Sequence, residues 1–154
     1  MNYWIMKSEP DVFGIDDLKQ KQTEHWDGVR NYQVRNMLRD DFRKGDFAFF
    51  YHSSCAVPGI AGIMTIASDG YPDFTAQNPN SKYYDPKSTP DNPRWYMVDV
   101  RYKRKLKRII TLEELKNDPR LQDLPIVKRG NRLSIVPISE EQWLHILSHE
   151  KLVL

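Results

Sequence analysis

Phe47-Ala48-Phe49-Phe50-Tyr51, followed beyond Pro58-Gly59 by Ile60-Ala61-Gly62-Ile63-Met64-Thr65-Ile66-Ala67, is the stretch whose reading decides the fold. The first run is too short and too aromatic for anything but a buried strand, and Lys44-Gly45-Asp46 supplies the turn into it. Pro58-Gly59 turns the chain into the second run, so the two are expected to pair antiparallel. Gly62 within the second run signals a bulge or a close backbone approach.

Toward the N-terminus, Tyr3 to Lys7 reads as a short buried strand ended by Pro10, which lacks a ladder donor. Ile15 to Lys21 reads as a short helix with Asp16 and Asp17 in its first turn, where negative charge suits the helix dipole. In Asn31 to Arg39, Val34, Met37 and Leu38 share one helical face and Asn31, Arg35 and Arg39 another, which predicts a helix with one core face and one free face.

Toward the C-terminus, Tyr71 to Pro93 holds five prolines among polar residues and reads as a long ordered loop. From Trp95 to Arg108, Tyr96, Val98, Val100, Tyr102 and Leu106 alternate with a largely charged set, as in a strand with one buried face. Thr111 to Glu114 and Ser139 to Gln142 have capping-box spacing and should each start a helix, and Arg132 to Val136 reads as a strand stopped by Pro137. Five or more short strands with four short helices inserted give an α+β domain on a strongly curved antiparallel sheet of small-barrel type. No domain boundary is visible, so residues 1–154 are read as a single domain.

The composition is 40% hydrophobic and the net charge is +2, with a pI near 8.6. That balance permits nucleic acid without demanding it. Cys55 is the only cysteine, which excludes an internal disulfide or a cysteine-based zinc site and fits a reducing compartment. The start lacks the pattern of a signal peptide, and no apolar run approaches spanning length, so a soluble, cytoplasmic protein without membrane association is expected.

Chemistry concentrates in three aromatic and polar words: Trp26-Asp27-Gly28-Val29-Arg30-Asn31-Tyr32-Gln33, Phe50-Tyr51-His52-Ser53 and Arg94-Trp95-Tyr96. Large π-faces beside amide, hydroxyl, imidazole and guanidinium groups are what stacks a flat heterocycle and reads its edge. Trp4 and Trp143 are read as core. The run Arg101 to Arg108 is either a phosphate track or the solvated face of a strand, and Arg30 and Arg35 either face a ligand or pair with Asp27, Asp40 or Asp41. His52 is either a ligand contact or a satisfied core histidine. His145 and His149 stand at i, i+4 on a predicted helix, but the sequence shows no third ligand, so neither a metal site nor a cofactor is expected.

Six ordered motifs carry a resemblance along essentially the whole chain: Met6-Lys7-Ser8-Glu9-Pro10; Gly28 to Asn36; Phe50 to Cys55 with Pro58 to Gly62; Tyr83 to Ser88; Pro93 to Tyr96; and Arg129 to Ser134. Together they resemble the EVE domain family, which is similar in fold to PUA, ASCH and YTH domains. The resemblance implies a PUA-like pseudo-barrel whose pocket accepts a flipped, modified base of DNA or RNA, with no catalysis. Trp26 or Trp95 would then supply the stacking platform beside Tyr51, and Ser8, Asn31 and Ser53 would read polar edges of the base. Lys7, Arg30 and His52 would meet phosphate or carbonyl oxygens, and Glu9 would accept from an exocyclic amine. The resemblance does not extend to the basic N-terminal tail of eukaryotic relatives, so one source of nucleic-acid affinity, and any inference of nuclear targeting from such a tail, is not expected here. The alternative is an ASCH-like amidohydrolase acting on a modified nucleoside through Lys7, Ser8 and Glu9. Adjacent strand residues point to opposite faces, which disfavours it. A monomer is compatible with either reading.

Overall fold

A computed structural model describes residues 1–152. The order is β1 (Tyr3–Ser8), α1 (Ile15–Lys21), β2 (Thr23–Trp26), α2 (Tyr32–Asp40), β3 (Phe47–His52), β4 (Gly59–Ile66), β5 (Tyr71–Pro72), β6 (Tyr96–Thr111), α3 (Leu112–Lys116), β7 (Ile135–Ile138) and α4 (Glu140–His149). Six strands lie in the order β2-β6-β4-β3-β1-β7, and β5 adds to β6. Since β2 and β7 end that path without pairing to each other, the sheet is curved and open, and the α+β, PUA-like class expected above holds.

The central strands are apolar on both faces because both are covered, which is why their sequences run without alternation. Trp4 and Met6 of β1, Ala48 and Phe50 of β3 and Met64 of β4 join Ile15, Leu18, Val34 and Leu38 of α1 and α2 in one core. Ile5, Phe49 and Ile63 face a second core with Leu115, Trp143 and Ile146 of α3 and α4. Trp4 stacks on Phe42 at 4.0 Å and Trp143 on Phe49 at 3.9 Å, so both are core residues. The 16-residue β6 serves both cores, Val98 and Val100 facing the first and Leu106 and Ile110 the second.

Three local expectations are revised. The sheet is not purely antiparallel: β1 and β3 pair in parallel, joined by a crossover that carries α1, β2 and α2. Pro137 does not stop β7 but lies within it, opposite Trp4, and is tolerated because β7 is an edge strand. The strand β2 adds to the predicted set, paired antiparallel to β6. The Gly62 signal has a clear cause, since a Cβ there would sit 2.4 Å from Ile15 Cδ1 and the β3–β4 and β4–β6 registers shift beside it.

Candidate functional site

A cleft of about 580 Å³ opens where the end of β1, the segment after it, β2 and the turn into α2 meet the long 71–93 loop. Its apolar walls include Phe13, Trp26, Val29 and Tyr83, and its polar groups come from Lys7, Ser8, Glu9, Asp27 and the neighbouring Glu24 and His25. Trp26 ends β2 opposite Val98 and meets Phe50 edge to face at 5.5 Å, so it is at once a cleft wall and a member of the first core.

Two charged groups in this cleft make no ion pair among the described residues. Burial alone draws the Lys7 ammonium below its ordinary pKa, and no ion pair within the described residues offsets that burial. Asp27 is displaced the other way: burial pushes its carboxyl up, and the negative charge of Asp73 adds to the shift. The Ser8 hydroxyl is committed, donating to the Phe13 carbonyl at 2.6 Å, while its oxygen keeps acceptor capacity. Glu9 is exposed at the rim, and its carbonyl accepts from Val12 and Phe13.

Beside the cleft, the same turn is locked to the long loop through Asp73. This buried carboxylate accepts from Gly28 N at 2.9 Å, Arg30 Nη1 at 3.1 Å, and Thr75 N and Oγ1 at 2.8 and 2.5 Å. Burial pushes its pKa up, but these hydrogen bonds outweigh the burial and hold the carboxyl below the usual aspartate value. Arg30 also donates to the Val29 and Tyr83 carbonyls at 2.9 and 2.7 Å and lies over the Tyr83 and Trp95 rings. Gly28 is required twice: its φ is +77°, and a Cβ would stand 2.5 Å from the Tyr83 ring. The partner of Arg30 is therefore Asp73, distant in sequence, and not Asp27. Arg35 donates to the Arg94 carbonyl at 2.8 Å and covers Tyr32.

The structure thus brings Lys7, Ser8, Glu9, Trp26 and Arg30 to one cleft. The other candidates lie elsewhere. Asn31 caps α2, its Oδ1 accepting from Val34 N at 3.0 Å. Tyr51 is in the second core, where burial pushes its hydroxyl up to about 12. His52 Nε2 accepts from Ile15 N at 3.1 Å, so the proton sits on Nδ1, and burial lowers the pKa of the ring. Ser53 donates its backbone N–H to the Ser8 carbonyl at 3.0 Å. Trp95 donates to Asp85 at 2.7 Å and stacks on Tyr32.

The chain matches the EVE domain over residues 2–149. It belongs to the EVE domain family. Thymocyte nuclear protein 1 of Homo sapiens is 46% identical over 169 residues, covering 97% of this chain and 74% of that protein. A crystal structure of human THYN1 protein in complex with 5-methylcytosine-containing DNA superposes with a TM-score of 0.93 at 45% identity, covering 100% of both chains. A Pseudomonas syringae protein superposes with a TM-score of 0.92 at 48% identity, covering 96% of this chain and 99% of that one. The mammalian relatives are named as nuclear proteins, which overturns the cytoplasmic expectation.

Within this EVE domain, Asp27, Phe13, Tyr83 and Lys82 are cleft residues that sequence reasoning did not single out. Asp27 and Tyr83 stand inside motifs already quoted, so the signal was their position beside Trp26 and in the Tyr83 to Ser88 word. Half of the basic run of β6 is ion-paired: Arg104 with Glu150 and Arg108 with Glu114 in bidentate geometry, and Lys105 with Asp16. No helix is long and apolar enough to cross a membrane among the described residues.

Proposed function

We propose that the cleft receives a single base displaced from a nucleic-acid strand and discriminates a modified base, of the 5-methylcytosine type, from its unmodified form without turning it over. The observation that carries this reading is the pairing of apolar walls, Trp26, Phe13 and Tyr83, with two charged groups, Lys7 and Asp27, that are partly buried and make no ion pair among the described residues. The binding of 5-methylcytosine-containing DNA by the human relative supports it. In this reading Trp26 and Tyr83 flank the base, and Lys7 donates to a ring carbonyl. Asp27 accepts from the exocyclic amine, the acceptor chemistry that reads cytosine N4. Arg30, held by Asp73 and two carbonyls, shapes the wall and is not free for phosphate.

Absence of turnover is supported by Ser8, whose hydroxyl proton is committed to the Phe13 carbonyl and from which no basic side chain accepts among the described residues. A hydrolase needs nucleophile and base in mutual contact.

Quenching of tryptophan fluorescence by paired oligonucleotides, one carrying 5-methylcytosine and its control cytosine, tests the proposal at fixed salt. Saturable binding that favours the modified strand, with the oligonucleotide recovered unchanged, is expected. Equal binding of both strands that disappears with salt would mean phosphate attraction alone, and a hydrolysed product would make the domain an enzyme.

A further inference from the structure

We propose that Asp118, His145 and His149 bind one divalent cation of the zinc type, at the edge of the second core and apart from the base cleft. His145 and His149 lie one turn apart on α4, and the turn after α3 brings Asp118 against them. Asp118 Oδ2 stands 2.6 Å from Nε2 of both rings, and the three ligand atoms all lie within 4.8 Å of one another. The other carboxylate oxygen is engaged, accepting from Arg120 N at 2.9 Å, so Oδ2 alone is aimed at the imidazoles.

The hydrogen-bond inventory of His149 points to an ion. Its Nδ1 faces Glu114 Oε1 at 3.0 Å while its Nε2 faces Asp118 Oδ2 at 2.6 Å, and a neutral imidazole has one N–H to share between these two acceptors. A cation taken up by Nε2 and Oδ2 resolves the conflict once the two draw apart from hydrogen-bond distance to the roughly 3.3 Å that two ligands of one tetrahedral zinc keep: Nδ1–H then donates to Glu114, which fixes the tautomer and turns the Nε2 lone pair toward the metal. A carboxylate behind a ligating histidine is the usual supporting arrangement of such sites. Glu114 is itself anchored by two hydrogen bonds from Arg108 at 2.8 and 3.0 Å. Two imidazoles and one carboxylate suit zinc and neighbouring late divalent ions, and leave a fourth position for water. His149 is nearly buried and His145 is partly open to solvent, which gives an ion a path in. The bound ion would tie the last turn of α4 to the turn that follows α3.

The test uses the whole chain stripped with chelator, titrated with Zn(II) by calorimetry and with Co(II) by visible absorption. One equivalent is expected, with the absorption of four- or five-coordinate Co(II), and Zn(II) should raise the melting temperature. His145→Ala and Asp118→Asn, each checked for folding by circular dichroism, should lose that site, and Glu114→Gln should weaken it by roughly 10- to 100-fold. His25→Ala removes the rival His25–Asp99 pair and should leave binding unchanged. Wild-type protein that binds no equivalent would overturn the proposal and leave the cluster as a hydrogen-bonded tie between α4 and the carboxylates of Glu114 and Asp118. Binding that survives both ligand variants, or is lost in His25→Ala, would equally overturn it.

Discussion

Two regions built on the same turn, residues 27–30, behave in opposite ways. On one side the Asp73 clamp satisfies its own carboxylate and most donors of Arg30 with protein groups. On the other, Lys7 and Asp27 line a cleft with burial working against their charges. The clamp is structure and the cleft is capacity held in reserve. A polar residue in an aromatic-rich segment becomes a ligand contact only when the protein leaves its hydrogen bonds unspent.

Breaking the clamp should have the largest effect. Asp73→Ala leaves the Arg30 guanidinium, Gly28 N–H and Thr75 without their shared acceptor, and removing one partner of a buried ion pair costs about 3–5 kcal/mol. Urea unfolding should show a matching fall in midpoint. The same carboxyl sets an acid limit. Its folded pKa is below the ordinary 3.8, so its stabilisation is complete above pH 3.8 and is lost as pH falls through the folded value. Unfolding curves of Asp73→Asn, compared with wild type across that window, should lack this loss.

Gly28→Ala attacks the joint between the regions. The positive φ and the Tyr83 ring together predict a destabilisation of about 1–3 kcal/mol. Calorimetric melting checks this, and base affinity should fall because Tyr83 is displaced. Asn31→Ala should be milder, costing about 1 kcal/mol through loss of a helix N-cap, with affinity unchanged in a fluorescence titration. Lys7→Met is the smallest change in stability and has the opposite sign. Removing an unpaired, half-buried ammonium should raise the urea midpoint while weakening the base complex.

Much of the fold was legible in the sequence because burial on both faces wrote β3 and β4 as unbroken apolar runs, because α1 had first-turn acids and α2 an apolar stripe, and because α3 and α4 opened on capping-box spacing. What escaped was decided at long range. The parallel direction of β1 against β3 leaves no local mark, and β2 is four mostly polar residues, Thr23–Trp26, held by pairing with β6. The cleft was half legible for the same reason. Lys7, Ser8, Glu9 and Trp26 were readable as types, whereas Asn31 and His52 looked like ligand contacts until the backbone amides of Val34 and Ile15 were seen to use them. Asp27 appeared to be a partner for Arg30 because Asp73, across the long loop, was out of view. Asp118 beside His145 and His149 is a further long-range neighbour of this kind.

The most direct measurement is the ratio of affinities for a 5-methylcytosine strand and its cytosine control in Asp27→Asn, set beside Asn31→Ala. Asp27→Asn should lose about 1–3 kcal/mol of binding to both cytosine strands while remaining folded, since it weakens acceptance from the amine they share. It should leave their ratio close to wild type, because the methyl group is read by the apolar walls, and Asn31→Ala should change neither affinity nor ratio. Unchanged affinity in Asp27→Asn, or a large loss in Asn31→Ala, would contradict the division between clamp and cleft.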